Sequence, residues 1–249
     1  MLYEAIESVL NQTHTDLDCW VYDDGSDEFD VQDVVDKFDD TRILICRGPK
    51  ISKEERIAKN SGRWSNNVNN ILAKIPKGEF VTYLCDDDLL HYDWLRNLER
   101  GYVESPNTDI ILGDMYWFYD GEDPYEVMRK GFLSRVVEDR DKSDEPQGLI
   151  FWWAMGVFGH RSECFYDCGL KWRMGFEGLA HSYDVKFIQE ITENHISHLI
   201  APIPASFRRE HPNTLSSRLG RLDEEGFYYK TGGEMEISNI EGLMEEVPA

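Results

Sequence analysis

Apolar positions in the first half of the chain switch between two periods. Residues 4–11 place Ala5, Ile6, Val9 and Leu10 on one helical face, and "CWVY" from Cys19 then reads as a short strand ending in the polar turn "DDGSD". Val31, Val34, Val35 and Phe38 fall at i, i+3, i+4 and i+7, which predicts a helix with Asp30 as its N-cap. "RILICR" is the next strand. Val68, Ile71, Leu72 and Ile75 repeat the helical spacing, and Pro76 with Gly78 stops it. "EFVTYL" predicts a buried strand, "DWLRNLERGYV" a helix, and "DIILGDMYWFY" a strand running into aromatics.

Helices between strands with short connections predict an α/β fold with a mostly parallel, doubly wound sheet. Such sheets bind ligands beyond the carboxyl ends of their strands. Two acidic clusters, Asp23-Asp24 and Asp86-Asp87-Asp88, fall at strand ends of that kind, on one edge. Three adjacent carboxylates repel one another unless a cation sits among them. Beyond residue 120 the rhythm breaks. "DGEDPYEVMRKGFLSRVVEDRDKSDEPQG" is charged and predicts a loop, "LIFWWAMGVFG" is dense in aromatics, "SYDVKFIQEI" is helical in spacing, and residues 222–249 form an acidic tail.

The net charge of −22 changes the picture of partners, because such a field repels nucleic acid and anionic membrane surfaces. An anionic ligand would need a metal ion or a local group of Arg and Lys. The five cysteines are odd in number and scattered, so they predict no disulfide framework. Cys164 and Cys168 lack the nearby histidines of a zinc site. A reducing cytoplasm is the expected setting. No apolar run approaches the ~20 residues needed to span a bilayer, and "MLYEAIESVL" lacks the basic and apolar regions of a signal peptide.

"AIESVLNQTHTDLDCWVYDDGSDE" followed by "GEFVTYLCDDDLLHYDWL" resembles family 2 glycosyltransferases of the GT-A fold. "KEERIAKNSGRWSNNVNNILAKIPKGEF" is similar to the SpsA-like branch. The likeness is good over residues 4–105 and looser over 150–215. It implies one GT-A domain with a nucleotide-sugar-binding half (1–120), an α+β half carrying the acceptor site and catalytic base (121–221), and the tail. The family opens with a strand such as "VSVIIPTYN". Here Met1 lies inside the following helix, so the resemblance implies either a truncated start or a strand supplied by another segment or subunit; without that strand one sheet position is empty, and an exposed edge there would invite a homodimer.

The resemblance also implies roles. Asp24, with Asp23 beside it, contacts the nucleotide base; Arg63 and Asn69 line the nucleotide pocket. Asp86 faces the ribose or the metal's waters, and Asp87 is the metal-binding aspartate of the DxD motif, whose first position falls on Cys85. "HSYDVKF" points to Asp184 as the catalytic base, with Glu177 and Asp167 as rivals. "FRREHPNTLS" brings His211 to the metal or pyrophosphate and Arg208 or Arg209 to the phosphates. Trp152 and Trp153 offer ring faces to an acceptor sugar. Read alone, Asp23 and Asp24 are turn formers, and residues 86–88 are a helix start stabilised by its dipole. The order of motifs reverses the first reading, while Asp88 is either a water-mediated ligand or, by the second reading, a structural residue at the next helix start.

The implied activity is metal-dependent, inverting transfer of a sugar from a nucleoside diphosphate, UDP or dTDP before GDP, to a glycan, lipid-linked or protein acceptor. Mn²⁺ or Mg²⁺ suits hard oxygen ligands. The alternatives are a non-catalytic nucleotide-sugar or glycan-binding module of the same fold, and a metal-dependent phosphohydrolase.

Overall fold

The computed structural model describes residues 1–23, 25, 26, 29–48, 63–130, 155–173, 187, 190, 191, 193, 194 and 196–211. Helix α1 (Leu2–Leu10) leads to strand β1 (Cys19–Asp23), helix α2 (Val31–Val35) and strand β2 (Ile43–Arg47). A helical crossover lets β1 and β2 pair in parallel. Ile6, Cys19, Val21, Val31 and Val35 close a small core between them. Asp30 caps α2 as its position predicts, its carboxylate accepting from the Gln32 N–H at 2.9 Å.

Helix α3 (Arg63–Leu72) precedes β3 (Phe80–Thr82), which is shorter than the apolar run suggests. Then come β4 (Leu89–Leu90), α4 (Trp94–Glu104), β5 (Ile110–Tyr119), α5 (Pro124–Arg129), β6 (Phe158–Arg161), α6 (Glu163–Tyr166) and β7 (His198–Glu210). Five strands form one sheet in the order β3-β6-β5-β7-β4, and among the described residues β1 and β2 form a separate pair. The α/β class is as expected, but the sheet is mixed rather than mostly parallel. Among the described residues only β5–β7 is parallel within it, while β3–β6, β5–β6 and β4–β7 run antiparallel. Periodicity sees helices between strands; it does not see that β6, from the second half, inserts between β3 and β5.

The start of strand β5, Ile110 to Leu112, is buried on both faces, so its side chains alternate between two cores. Ile110 and Leu112 join Phe158, Trp172, Phe187 and Ile191. Ile111 joins Trp94, Leu95, Leu98 and Ala205. Fully burying a side chain such as Leu98 contributes about 1.5–3 kcal/mol. No helix among the described residues is long and apolar enough to cross a membrane.

Two elements were not legible in the pattern. Strand β7, the longest, contains Pro202 and Pro204, which lack ladder N–H groups and argue against a central strand. The sheet accommodates them by register shifts on either side of Asp114. Gly113 sits at that irregularity. A Cβ there would stand 2.7 Å from the Ile203 carbonyl oxygen, 2.7 Å from the Trp94 ring and 2.8 Å from Ala205. Gly113→Ala is therefore expected to cost about 1–3 kcal/mol through overpacking, read as a lower urea midpoint at unchanged slope. Helix α5 replaces part of the expected loop. Asp123 accepts from the Tyr125 and Glu126 N–H groups, Pro124 opens the helix, and Val127 packs on Phe118 and Phe207.

Candidate functional site

The chain leaves the sheet after Thr82 and turns through residues 85–88 before β4. Tyr83 anchors the exit: it is partly buried, its hydroxyl lies 2.7 Å from His160 Nε2, and desolvation raises its pKa. His160 Nδ1 lies 2.8 Å from the Arg161 carbonyl, which can only accept, so Nδ1 carries the proton and Nε2 accepts from Tyr83. Burial lowers the His160 pKa to about 4, consistent with a neutral ring.

Within the turn, Cys85 Sγ and carboxylate oxygens of Asp87 and Asp88 all lie within 4.8 Å of one another. Two ligands that each stand about 2.0–2.3 Å from one ion are at most roughly 4.5 Å apart, so slight side-chain rotation lets all three share a cation. His211, just past β7, brings Nε2 to 3.3 Å from Asp87 Oδ2 with only 8% of its side chain exposed. Burial, then the charge of Asp87, raises the Asp86 pKa. The same causes push Asp88 to about 7, against the Arg209 N–H and the charge of Arg208. Asp88 does not start a helix. Strand β4 follows it, and its Oδ1 accepts from the Arg209 N–H at 3.0 Å, which locks the turn to β7.

Arg209 has a different place from a phosphate ligand. Its guanidinium donates to the Asp87 carbonyl at 3.1 Å, to Asp120 at 2.9 Å and to Glu4 at 2.6 Å. Its plane stands 5.0 Å from the Phe118 ring centroid. One buried side chain thus joins α1, the acidic turn and the end of β5. Arg208 lies over the Trp117 ring at 4.8 Å. Gln12, within "SVLNQT", donates to the His91 carbonyl at 2.8 Å and accepts from the Leu95 N–H at 3.1 Å. Ser8 accepts from the Leu90 N–H at 2.9 Å, so α1 also holds the far side of the turn.

Asp23 is buried and forms the turn that its residue type favours. Its Oδ1 accepts from Gly25 and Ser26 N–H groups at 3.0 and 2.7 Å. Burial works to raise its pKa, but the N–H and hydroxyl of Ser26, the N–H of Gly25 and the charge of Arg47 outweigh it, and the value falls. Asn69 is joined both ways to the Trp172 main chain, at 2.7 and 3.0 Å. Asn67, unremarked in the sequence, donates to the Tyr22 hydroxyl at 2.7 Å and ties α3 to β1. Asp24, Trp152, Trp153, Glu177, Asp184 and the Arg63 side chain lie outside the described residues. Asp167 pairs with Lys77 on the surface at 2.5 Å.

The family model for glycosyl transferase family 2 matches residues 1–166. Among curated relatives, the chain is 35% identical over 114 residues to poly(ribitol-phosphate) beta-N-acetylglucosaminyltransferase TarP of Staphylococcus aureus, covering 45% of this chain and 32% of that one. It is 31% identical over 122 residues to UDP-Glc:alpha-D-GlcNAc-diphosphoundecaprenol beta-1,3-glucosyltransferase WfaP of Escherichia coli, covering 49% and 42%. The matches span less than half the length of either relative. The crystal structure of S. aureus TarS superposes with a TM-score of 0.55 at 16% identity, over 85% of this chain and 34% of that one. That likeness shows the fold, the GT-A type of α/β arrangement.

Proposed function

The chain is a member of glycosyl transferase family 2, and we propose that it moves a sugar from a nucleoside diphosphate to an acceptor hydroxyl by single displacement, with inversion. The observation that carries this reading is the meeting of Asp87 and His211, 124 residues apart in sequence, at 3.3 Å beside the acidic turn. Asp87 and His211 would hold a divalent cation, Mn²⁺ or Mg²⁺, with the other donors of the turn around them. When bound, that ion supplies positive charge to the departing pyrophosphate.

The remaining roles fall to side chains of the chain itself. Asp23 shapes the loop that presents Asp24 to the base, with Arg63 beside the nucleotide and Asn69 holding the pocket wall through Trp172. Asp86 faces the ribose. Asp184 takes the proton of the acceptor hydroxyl as its oxygen attacks the anomeric carbon from the face opposite the leaving group. Trp152 and Trp153 stack on the acceptor. The name of WfaP, which specifies UDP-Glc, favours UDP over the other bases. The names of TarP and WfaP favour a polymer or lipid-linked acceptor.

The test is thermal stabilisation by UDP, dTDP, GDP and CDP, each with and without Mn²⁺, followed by hydrolysis of the matching nucleotide sugar. A UDP or dTDP shift of about 5–10 °C at a hundredfold excess over Kd, seen only with Mn²⁺, is expected. A shift without any turnover would make the chain a binding module, and no shift with any nucleotide would sink the donor site.

A further inference from the structure

Tyr83 and His160 form a polar couple against the apolar core that holds Phe158, Trp172 and Phe187. His160 is fully buried, and the Tyr83 hydroxyl donates to its Nε2 across 2.7 Å. The Tyr83 ring stands 5.5 Å from Phe158 and meets Trp172 edge-on at 5.1 Å, and Trp172 stacks on Phe187 at 4.1 Å. Three parts of the proposed site meet at these rings. Tyr83 precedes Asp87 by four residues, and Phe187 follows Asp184 by three. The Trp172 main chain is held at both polar groups by Asn69 of α3, at 2.7 and 3.0 Å. We propose that Tyr83 and His160 are positioning residues for the reaction, their hydrogen bond aiming the acidic turn so that Asp87 stands where the cation and diphosphate require it.

The physical reason is what a buried hydrogen bond adds that an apolar pair does not. Replacing both partners by apolar groups of similar shape is nearly neutral for stability, so the couple contributes direction more than cohesion. Direction matters here because the β3 ladder ends at Thr82, opposite Gly159. Beyond it the Tyr83 hydroxyl fixes the near end of the turn, as Asp88 and Arg209 fix the far end. A turn of neighbouring carboxylates repels itself, and an ångström of drift at the ligand is enough to lose binding and rate. The inference rests on the reading that the acidic turn holds a cation, and it names what aims the turn.

The experiment compares wild type with Tyr83→Phe, His160→Leu, the double variant and His160→Gln. Each is unfolded in urea, and each is titrated with Mn²⁺ in the presence of UDP, followed by electron paramagnetic resonance. Either single apolar variant leaves one polar partner unmatched in the core and is expected to lose stability, whereas the double variant leaves neither and regains most of it. Positioning is read from the other quantity. Mn²⁺ affinity is expected to fall about 10–100-fold in both single variants and to stay low in the double. His160→Gln, whose side-chain carbonyl accepts from Tyr83 at similar reach, is expected to recover it. Mn²⁺ affinity that returns with stability in the double variant, or that never changes, would make the couple structural only and overturn the proposal. No Mn²⁺ binding by the wild type would overturn the reading of the metal site as well.

Discussion

Asp87→Ala is expected to lower metal-dependent turnover of the nucleotide-sugar donor about a thousandfold, equivalent to roughly 4 kcal/mol of transition-state stabilisation. Asp87 is the residue on which the site converges. His211 stands 3.3 Å from its carboxylate, Arg209 holds its carbonyl, and its charge acts on both neighbours, raising Asp86 and Asp88. Removing it deletes the ligand shared by both sides of the site while leaving the core untouched. Donor hydrolysis in wild type and variant at equal Mn²⁺ checks the result, with melting temperature as the control for folding. Activity within tenfold of wild type would place the metal elsewhere.

Arg209→Ala is expected to cost about 3 kcal/mol of stability and to weaken Mn²⁺ binding about 10–100-fold. The buried guanidinium satisfies the Asp87 carbonyl and two carboxylates, so truncation leaves three acceptors without their donor and opens a void against Phe118. Asp120 and Glu4 are half-exposed or more and regain water, which keeps the cost below that of breaking a fully buried ion pair. Arg209→Lys restores only part of it, because an ammonium cannot reproduce a planar fork aimed at three acceptors. Urea unfolding gives the first quantity. Mn²⁺ titration followed by electron paramagnetic resonance, on variant confirmed folded, gives the second. A stability loss with unchanged Mn²⁺ affinity would make Arg209 a purely structural residue.

The acidic turn was legible because its signal is local. An apolar run followed by consecutive aspartates marks where a strand gives way to a turn, but the expected single edge for both acidic clusters does not hold, because among the described residues β1 and β3 belong to separate sheets. The order of motifs around it carried the family. What the turn contains was not legible. Asp88 reads as a helix start from its position and lies instead beside β7. The resemblance of "FRREHPNTLS" implies a phosphate contact for Arg208 or Arg209, and Arg209 lies instead within the scaffold, because its acceptors are known only once the chain is folded. One of them, Glu4, is 205 residues away in sequence. Cys85 reads as a departure from a motif and lies within 4.8 Å of the Asp87 and Asp88 carboxylates.

The same division runs through the fold. Periods of 3.6 and 2 belong to neighbouring residues, so α1, β1, the capped start of α2, α3, α4 and β5 follow from the chain alone. Strand neighbours, the antiparallel insertion of β6, and a long strand carrying two prolines follow from contacts between segments far apart. Those contacts depend on shape. Gly113 leaves room for Ile203 and Trp94, and the sheet shifts register where proline cannot donate. Residue order sets where carboxylates occur along the chain; only packing brings the His211 imidazole to the Asp87 carboxylate.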